Sequence, residues 1–562
     1  MRRILPVLTL LGSTLFAQNP LYLKNLGGST YDMGTGVLAG PVSGSYFTGT
    51  FNGTADLDPG VNGGTVTSAG GRDAYFAKYT NDGTFVWGKA VGGSSADEGV
   101  AMVSSNDNGL FLAGTYTFEA DMDPGPGITN LHVVGTNNSS IGTFIARYTT
   151  NGDLVWARSL SGVNAGCYVV GMARDGIGNL YVTGWYTGPV DFDPSGNNQI
   201  FMNNPNTNSF VAKYDGDGNL IWVRQIGGSA MTRAYSIYVN GSGSVLLGGY
   251  YDSGTCDVDP GAATVAYTAA SGVRNGWAIK LTTDGQYAWS ADLAGDNTCT
   301  VKTVLLDASG NAFLGGTFSG TYDLNPGPGS TSFTSDNSQD AFLMKLSGTT
   351  GTLTQAVPFQ GFFDEDVSLM TLGNDGSLYF SGATWGDSDL DPGPGTVFPT
   401  LELPVFFCHY STSMTYLGHY GWSDLGNIIH TSMDVDLNGQ MISTGRFDGT
   451  IDLNTGSGSF PLTAVGEQDA FIASFGDINV GFVQPVAAQG IGAFPNPSKG
   501  MFHLTLPYPE MTVTVTDDLG RTVFKSSNMS SSILDISLQP AGVYLITAWN
   551  DKFSAAQKVM VE

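Results

Sequence analysis

An aspartate followed two residues on by a second Asp or, in two copies, by Asn recurs along this sequence, each time ahead of turn-forming residues. The runs are DLDPG (56–60), DMDPG (121–125), DFDPS (191–195), DVDPG (257–261), DLNPG (323–327), DLDPG (389–393) and DLNTG (452–456). Paired carboxylates can hold calcium, serve as the acid and nucleophile of a glycosidase, or accept backbone N–H groups in a turn. Residues two apart on a strand face the same way, so each pair is expected to point together. A reaction centre needs one arrangement of groups, whereas this one comes seven times at intervals of 63 to 70 residues. A structural turn is therefore the preferred reading, with Pro ending strand pairing and Asp binding loop amides. Calcium is the alternative, with Asp56, Asp58, Asp121, Asp123, Asp191, Asp193, Asp257, Asp259, Asp389 and Asp391 as candidate ligands. The run lacks the spaced ligands and closing Glu of an EF-hand loop. No other cofactor is indicated.

The remaining reactive residues form no catalytic set. His409, His419 and His430 lie near Trp422 without HxH or HExxH spacing, and no GxSxG or P-loop run occurs. No catalytic residue is assigned. Four cysteines are too few for a disulfide framework in 562 residues, and no CxxC spacing exists. Cys256 and Cys299 fall at strand ends on one expected face, which makes them the candidate disulfide; Cys408 reads as a buried thiol.

Strands must position these loops. Before each DxD stands a run such as YFTGTF (46–51), LFLAGTY (110–116) or LYVTGWY (180–186). After it come AYFAKY (74–79), TFIARY (143–148) or SFVAKY (209–214), then a turn such as NDG, TNG or GDG. A tryptophan strand follows, with Trp87, Trp156, Trp222 and Trp289 expected to pack between repeats. A fourth strand opens the next unit. Alternating β-branched and aromatic residues between Gly, Asn and Asp clusters mark strands, and helical periodicity is absent. Four antiparallel strands repeated seven times predict an all-β, seven-bladed β-propeller, with a solenoid as the competing architecture. The last copy ends at AFIASFGD (470–477) without its outer strand, and PLYLKNLGGSTYD (20–32) matches the missing piece. The N-terminal strand is expected to close the last blade. Residues 20–477 resemble the β-propeller repeats of bacterial extracellular proteins.

The ends of the chain carry different signals. MRRILPVLTLLGSTLFA (1–17) reads as a signal peptide, residues 18–477 as the propeller and 478–493 as a linker. Residues 494–562 alternate as a small Ig-like β-sandwich. Phe494-Pro495-Asn496-Pro497, the turn at Gly520-Arg521, Gly542, Tyr544 and the closing Lys558 resemble the type A C-terminal sorting domain of the Bacteroidetes type IX secretion system. That resemblance implies the type IX machinery as a partner and release outside the cell or display on its outer surface. With 49 acidic and 22 basic residues the formal charge is −27, which disfavours nucleic acid and anionic membrane surfaces. No later segment reads as a membrane helix. The expected function is non-catalytic binding or adhesion, to a glycan or protein ligand, on the longer loops of the DxDPG face. A calcium-stabilised adhesive protein and a secreted polysaccharide hydrolase are the alternatives.

Overall fold

The computed structural model describes residues 20–477 and 492–561. Within the first span 41–43, 60–62, 134–139, 196–200, 203–205, 336–337, 362–363, 385–387, 392–396, 398–402, 423–426, 437 and 454–459 are left out. Within the second, 495–497, 507–510, 518–520, 530–531 and 551–552 are left out. The expected signal peptide, most of the linker, Pro495, Asn496, Pro497 and Gly520 thus lie outside the described residues. Two compact units divide between Phe482 and Val483.

The first unit is all strand, in four-stranded antiparallel sheets numbered here in chain order. Sheet 1 pairs Met33–Ala39, Ser45–Asp56, Thr65–Tyr79 and Phe85–Val91. The same order repeats in sheet 2 (98–160), sheet 3 (166–228), sheet 4 (231–293), sheet 5 (298–359) and sheet 6 (369–422). In sheet 7, Ile428–Val435, Gln440–Phe447 and Asp469–Asp477 are completed by Pro20–Gly28 from the start of the chain. The innermost strands follow one another around a closed ring. Its last joint is sealed by Val37 N–H to Ser432 Oγ at 3.1 Å and Ala39 N–H to Asp434 Oδ2 at 2.9 Å. This is β-propeller architecture, and the N-terminal strand closes it as expected.

Each sheet is apolar on both faces because a neighbour covers each. Second strands such as Leu110–Thr117 are almost wholly buried, and the clusters they build span adjacent sheets: Phe76 of sheet 1 packs with Leu112 and Tyr148 of sheet 2. Burial of so many aromatic and branched side chains is the main source of stability.

Two repeated locks join the sheets. At five joints a glycine ends the outer strand, and a Cβ there would meet a carbonyl oxygen of the next sheet. The separations would be 1.9 Å from Gly28 to Thr54 O, 2.1 Å from Gly93 to Glu119 O, and 1.8 Å from Gly162 to Pro189 O. For Gly228 to Thr255 O and Gly295 to Thr321 O they would be 2.5 Å. On the opposite face, the Trp87, Trp156, Trp222 and Trp289 indoles donate to hairpin carbonyls of the following sheet at 3.1 to 3.3 Å. At the seam between sheets 7 and 1 the Tyr22 ring takes the equivalent place against Gly83, repeating the packing without the hydrogen bond.

Beyond the four-stranded body, the second and third strands run on as a hairpin whose tip is the DxDPG loop. The kink that starts it lies three residues before the first Asp. There Gly53, Gly188, Gly254, Gly320 and Gly449 adopt positive φ, and Phe118 does so at 69°.

The second unit holds a three-stranded sheet (Gly492–Phe494, Met501–Thr505, Ser532–Asp535) and a four-stranded one. The latter orders Thr522–Met529, Met511–Thr516, Gly542–Asn550 and Phe553–Val561. Phe502, Leu504, Val513, Val515, Leu534 and Ile546 form the core of this small sandwich.

Two substitutions test this account. Phe118 is 43% exposed and strained, so Phe118→Gly should raise stability by about 1 kcal/mol. Gly93→Ala should lower it by about 1–3 kcal/mol, as the joint must open. Denaturant melts read both.

Candidate functional site

The DxDPG loops are built alike. The first aspartate ends its strand and the second already lies in the turn, so the two do not share a strand face as expected. The physical reason is that the first carboxylate turns back onto the loop. Its Oδ1 accepts the N–H two residues on: Asp58 to Asp56 at 2.9 Å, Asp123 to Asp121 at 3.0 Å, Asp193 to Asp191 at 2.9 Å, Asp259 to Asp257 at 3.1 Å and Asp391 to Asp389 at 3.0 Å. The same oxygen accepts the N–H eight residues on, from Thr129, Val265, Thr331, Val397 and Phe460, at 2.8 to 3.0 Å. The second carboxylate caps the Pro-Gly turn, with Gly125 N–H to Asp123 at 2.8 Å and Gly261 N–H to Asp259 at 2.7 Å. Asn325 does the same for Gly327 at 3.0 Å, which is why Asn replaces Asp there without loss.

The residue between the two acids is the loop's anchor. Leu57, Met122, Phe192, Val258, Leu324, Leu390 and Leu453 are all buried. The tyrosine that ends the third strand donates to that residue's carbonyl, Tyr148 to Met122 at 3.0 Å and Tyr214 to Phe192 at 2.9 Å. Tyr79 and Tyr410 bond Leu57 and Leu390 in the same way. Among the described residues no three His, Cys, Asp or Glu side chains come together as a metal-holding group.

A second set of acids, unnoticed in the sequence, holds the joints. Asp97 accepts Gly93 N–H at 2.6 Å and Thr117 N–H at 3.0 Å, and Asp32 accepts Gly28 N–H at 2.7 Å and Asn52 N–H at 3.2 Å. Burial lifts Asp97 to about 7 and Asp32 to about 6, the latter helped by the nearby Asp469 charge. The runs GGSTYD (27–32) and GGSSAD (92–97), each closing on one of these aspartates, were the available signal.

The Cys256–Cys299 disulfide is not formed: all four cysteines are free and buried. Cys256 packs with Val258 and Trp277, whereas Cys299 packs with Leu293 and Phe318 of the next cluster. Equal height on one face did not make them neighbours. Burial pushes the Cys167 and Cys256 thiols up to about 12, so neither is a ready nucleophile. His409 lies flat on Tyr379, His419 bonds the Tyr416 hydroxyl at 2.6 Å and His430 the Ser381 hydroxyl at 2.8 Å. Burial lowers all three, to about 4, 4 and 3. They are separate packing residues.

In the tail, Tyr544 donates to Pro540 O at 2.7 Å, and Arg521 pairs with Asp517 at 2.7 Å, pinning the two turns singled out in the sequence. Phe494 ends the first strand, Gly542 opens the long one and Lys558 lies on the last.

Three outcomes are expected. Asp257→Ala loses two amide bonds and should cost about 2 kcal/mol, while Asp257→Asn, which keeps the accepting oxygen, should cost less than about 1. Dialysis against chelator should leave the melting temperature unchanged, with no stoichiometric metal by elemental analysis. Because Asp97 is raised in the folded state, its protonation adds stability that is full below about pH 4 and lost as pH rises through about 7. The stability of the natural chain relative to Asp97→Asn should therefore grow as pH falls across that window.

Comparison with known proteins adds the tail's identity. Residues 492–562 match the family described as secretion system C-terminal sorting domain. An uncharacterized WD repeat-containing protein of Acanthamoeba polyphaga mimivirus is 23% identical over 205 residues, 32% of this chain, and that match spans 14% of its own length. PorZ, a surface component of the type-IX secretion system of Porphyromonas gingivalis, aligns at 11% identity with TM-score 0.21, over 96% of this chain and 100% of its own. The quinohemoprotein alcohol dehydrogenase of Comamonas testosteroni aligns at 12% with TM-score 0.24, over 66% and 60%. No helix among the described residues is long and apolar enough to cross a membrane. The C-terminal sandwich of this chain is a sorting domain of the type IX secretion system, which indicates export to the cell surface or beyond.

Proposed function

We propose that this is a non-catalytic binding protein, carried out of the cell by its sorting tail and working at the outer surface or in the surrounding medium. One observation supports the reading above others. The recurring carboxylates that could have done chemistry are committed to backbone amides of their own loops. What they build is a rigid rim on which the connections between second and third strands differ from sheet to sheet. Rigid scaffolds with variable loops commonly carry recognition. The folding interactions recur around the ring, so a ligand site is to be sought where the ring departs from its own repeat.

Two experiments test this. A chain ending at Asp477 should accumulate in the periplasm while the full chain is exported; efficient export of the shortened chain would overturn the sorting role. The purified full chain should capture glycans or proteins from a surface-extract array and leave a polysaccharide panel intact. Turnover of any polysaccharide would replace binding with hydrolysis.

A further inference from the structure

The ring departs from its repeat where sheets 3 and 4 meet. After the second-strand glycine, sheets 1, 2 and 5 carry Thr50, Thr115 and Thr317, sheet 6 Ala383 and sheet 7 Arg446; sheets 3 and 4 carry the aromatic residues Trp185 and Tyr250. Tyr168 stacks on Trp185 with centroids 3.8 Å apart and planes 17° from parallel. The Arg233 guanidinium lies 4.1 Å from the Trp185 ring centre, and Arg274 lies 3.9 Å from that of Tyr250. Tyr235, 44% exposed, leans on Tyr250 at 5.7 Å. Tyr168, Arg233 and Tyr235 lie near the start of inner strands, Trp185 and Tyr250 in second strands and Arg274 in a third strand, at the end of the sheets that carries the DxDPG loops.

The two arginines differ in one respect. Arg274 is held by Asp252 through two bonds, at 2.7 and 3.2 Å. Arg233 has no hydrogen bond or ion pair among the described residues, and its Nε is buried without a partner. Every other described arginine has one: Arg72, Arg147, Arg158, Arg174, Arg224, Arg446 and Arg521 each bond an acid, a carbonyl or an amide. In a chain with 49 acidic residues, a cation left without a counter-ion beside an aromatic platform calls for an anion from outside. A guanidinium fork matches a carboxylate in two parallel bonds, and a flat ring matches the apolar face of a sugar.

We propose that Arg233, Trp185 and Tyr235 form the binding site for a carboxylate-bearing sugar, a uronate unit of an acidic polysaccharide. Arg233 takes the carboxylate and Tyr235 supports the ring. The assignment rests on the binding function proposed above.

Calorimetry on the full chain tests it, with trigalacturonate as probe and its methyl ester as the uncharged control. The acid should bind, and the ester should bind about tenfold more weakly, for want of a charge-assisted pair. Arg233→Gln should lose about tenfold in affinity for the acid. Trp185→Thr, which installs the residue of sheets 1, 2 and 5, should do likewise while still folding, as a cooperative thermal melt would show. Equal binding of acid and ester, unchanged affinity in Arg233→Gln, no binding of the acid, or equal affinity for an oligoglutamate peptide would each overturn the site. A different glycan or protein captured equally by the natural chain and Arg233→Gln would keep the binding function and remove this site from it. Hydrolysis of a polysaccharide would remove the function itself.

Discussion

The fold depends on a close approach between backbones. Where one sheet hands over to the next, the outer strand's last glycine lies so near the carbonyl two residues before the next sheet's first aspartate that no side chain fits between them. Paired backbone bonds hold the approach, as between Gly92 and Asp121 at 2.9 and 3.1 Å. A sheet that is apolar on both faces is stable only when covered, and this contact sets how its cover is placed. Ring closure follows, because the first strand of the chain presents the same glycine to Thr54 from sheet 7.

The aspartates take their role from that constraint. Where its backbone is bound to the preceding sheet, as at Asp121, Asp257 and Asp323, the first aspartate turns its side chain toward its own loop and gathers two amides. Buried amides must find acceptors, and a carboxylate accepts several bonds at once. These bonds hold the loop's shape. On the opposite face, tryptophan meets a hairpin glycine that has both positive φ and no Cβ in the indole's way, as with Gly152 against Trp87. The two locks use the same residue type for different reasons: room for a backbone on one face, and a left-handed turn beside a ring on the other.

Much of this was legible in the sequence. Repetition exposed the strands, the complementing N-terminal strand and the structural use of DxD, since local signals agreed with one architecture at every copy. The tail was legible through turn residues that the structure shows pinned, Arg521 on Asp517 and Tyr544 on Pro540. What failed were judgements of distance. Cys256 and Cys299 share a face but sit in different packing clusters, and strand alternation did not carry past Asp56 because the chain turns there. Trp185 and Tyr250 were visible as letters and passed over, because an aromatic in a strand reads as core. Thr50, Thr317 and Tyr250 are buried at that position and Thr115 and Trp185 partly so, so only the change from threonine to an aromatic residue marks this joint.

Repetition and function make opposite demands on such a chain. An interaction needed to fold must occur at every joint, so it appears in every copy and loses its value as a marker of a site. An interaction needed for a ligand is required once, and there the repeat is free to break. The joint of sheets 3 and 4 combines both: Gly228 keeps the close approach, while Trp185 and Tyr250 stand where sheets 1, 2 and 5 have threonine, and Arg233 lies opposite Tyr250 in the strand register. Because folding there is already secured by backbone contacts, Arg233 can remain without a counter-ion. Its stacking on Trp185 offsets part of the desolvation that an unpaired cation costs, and an incoming carboxylate would supply the rest.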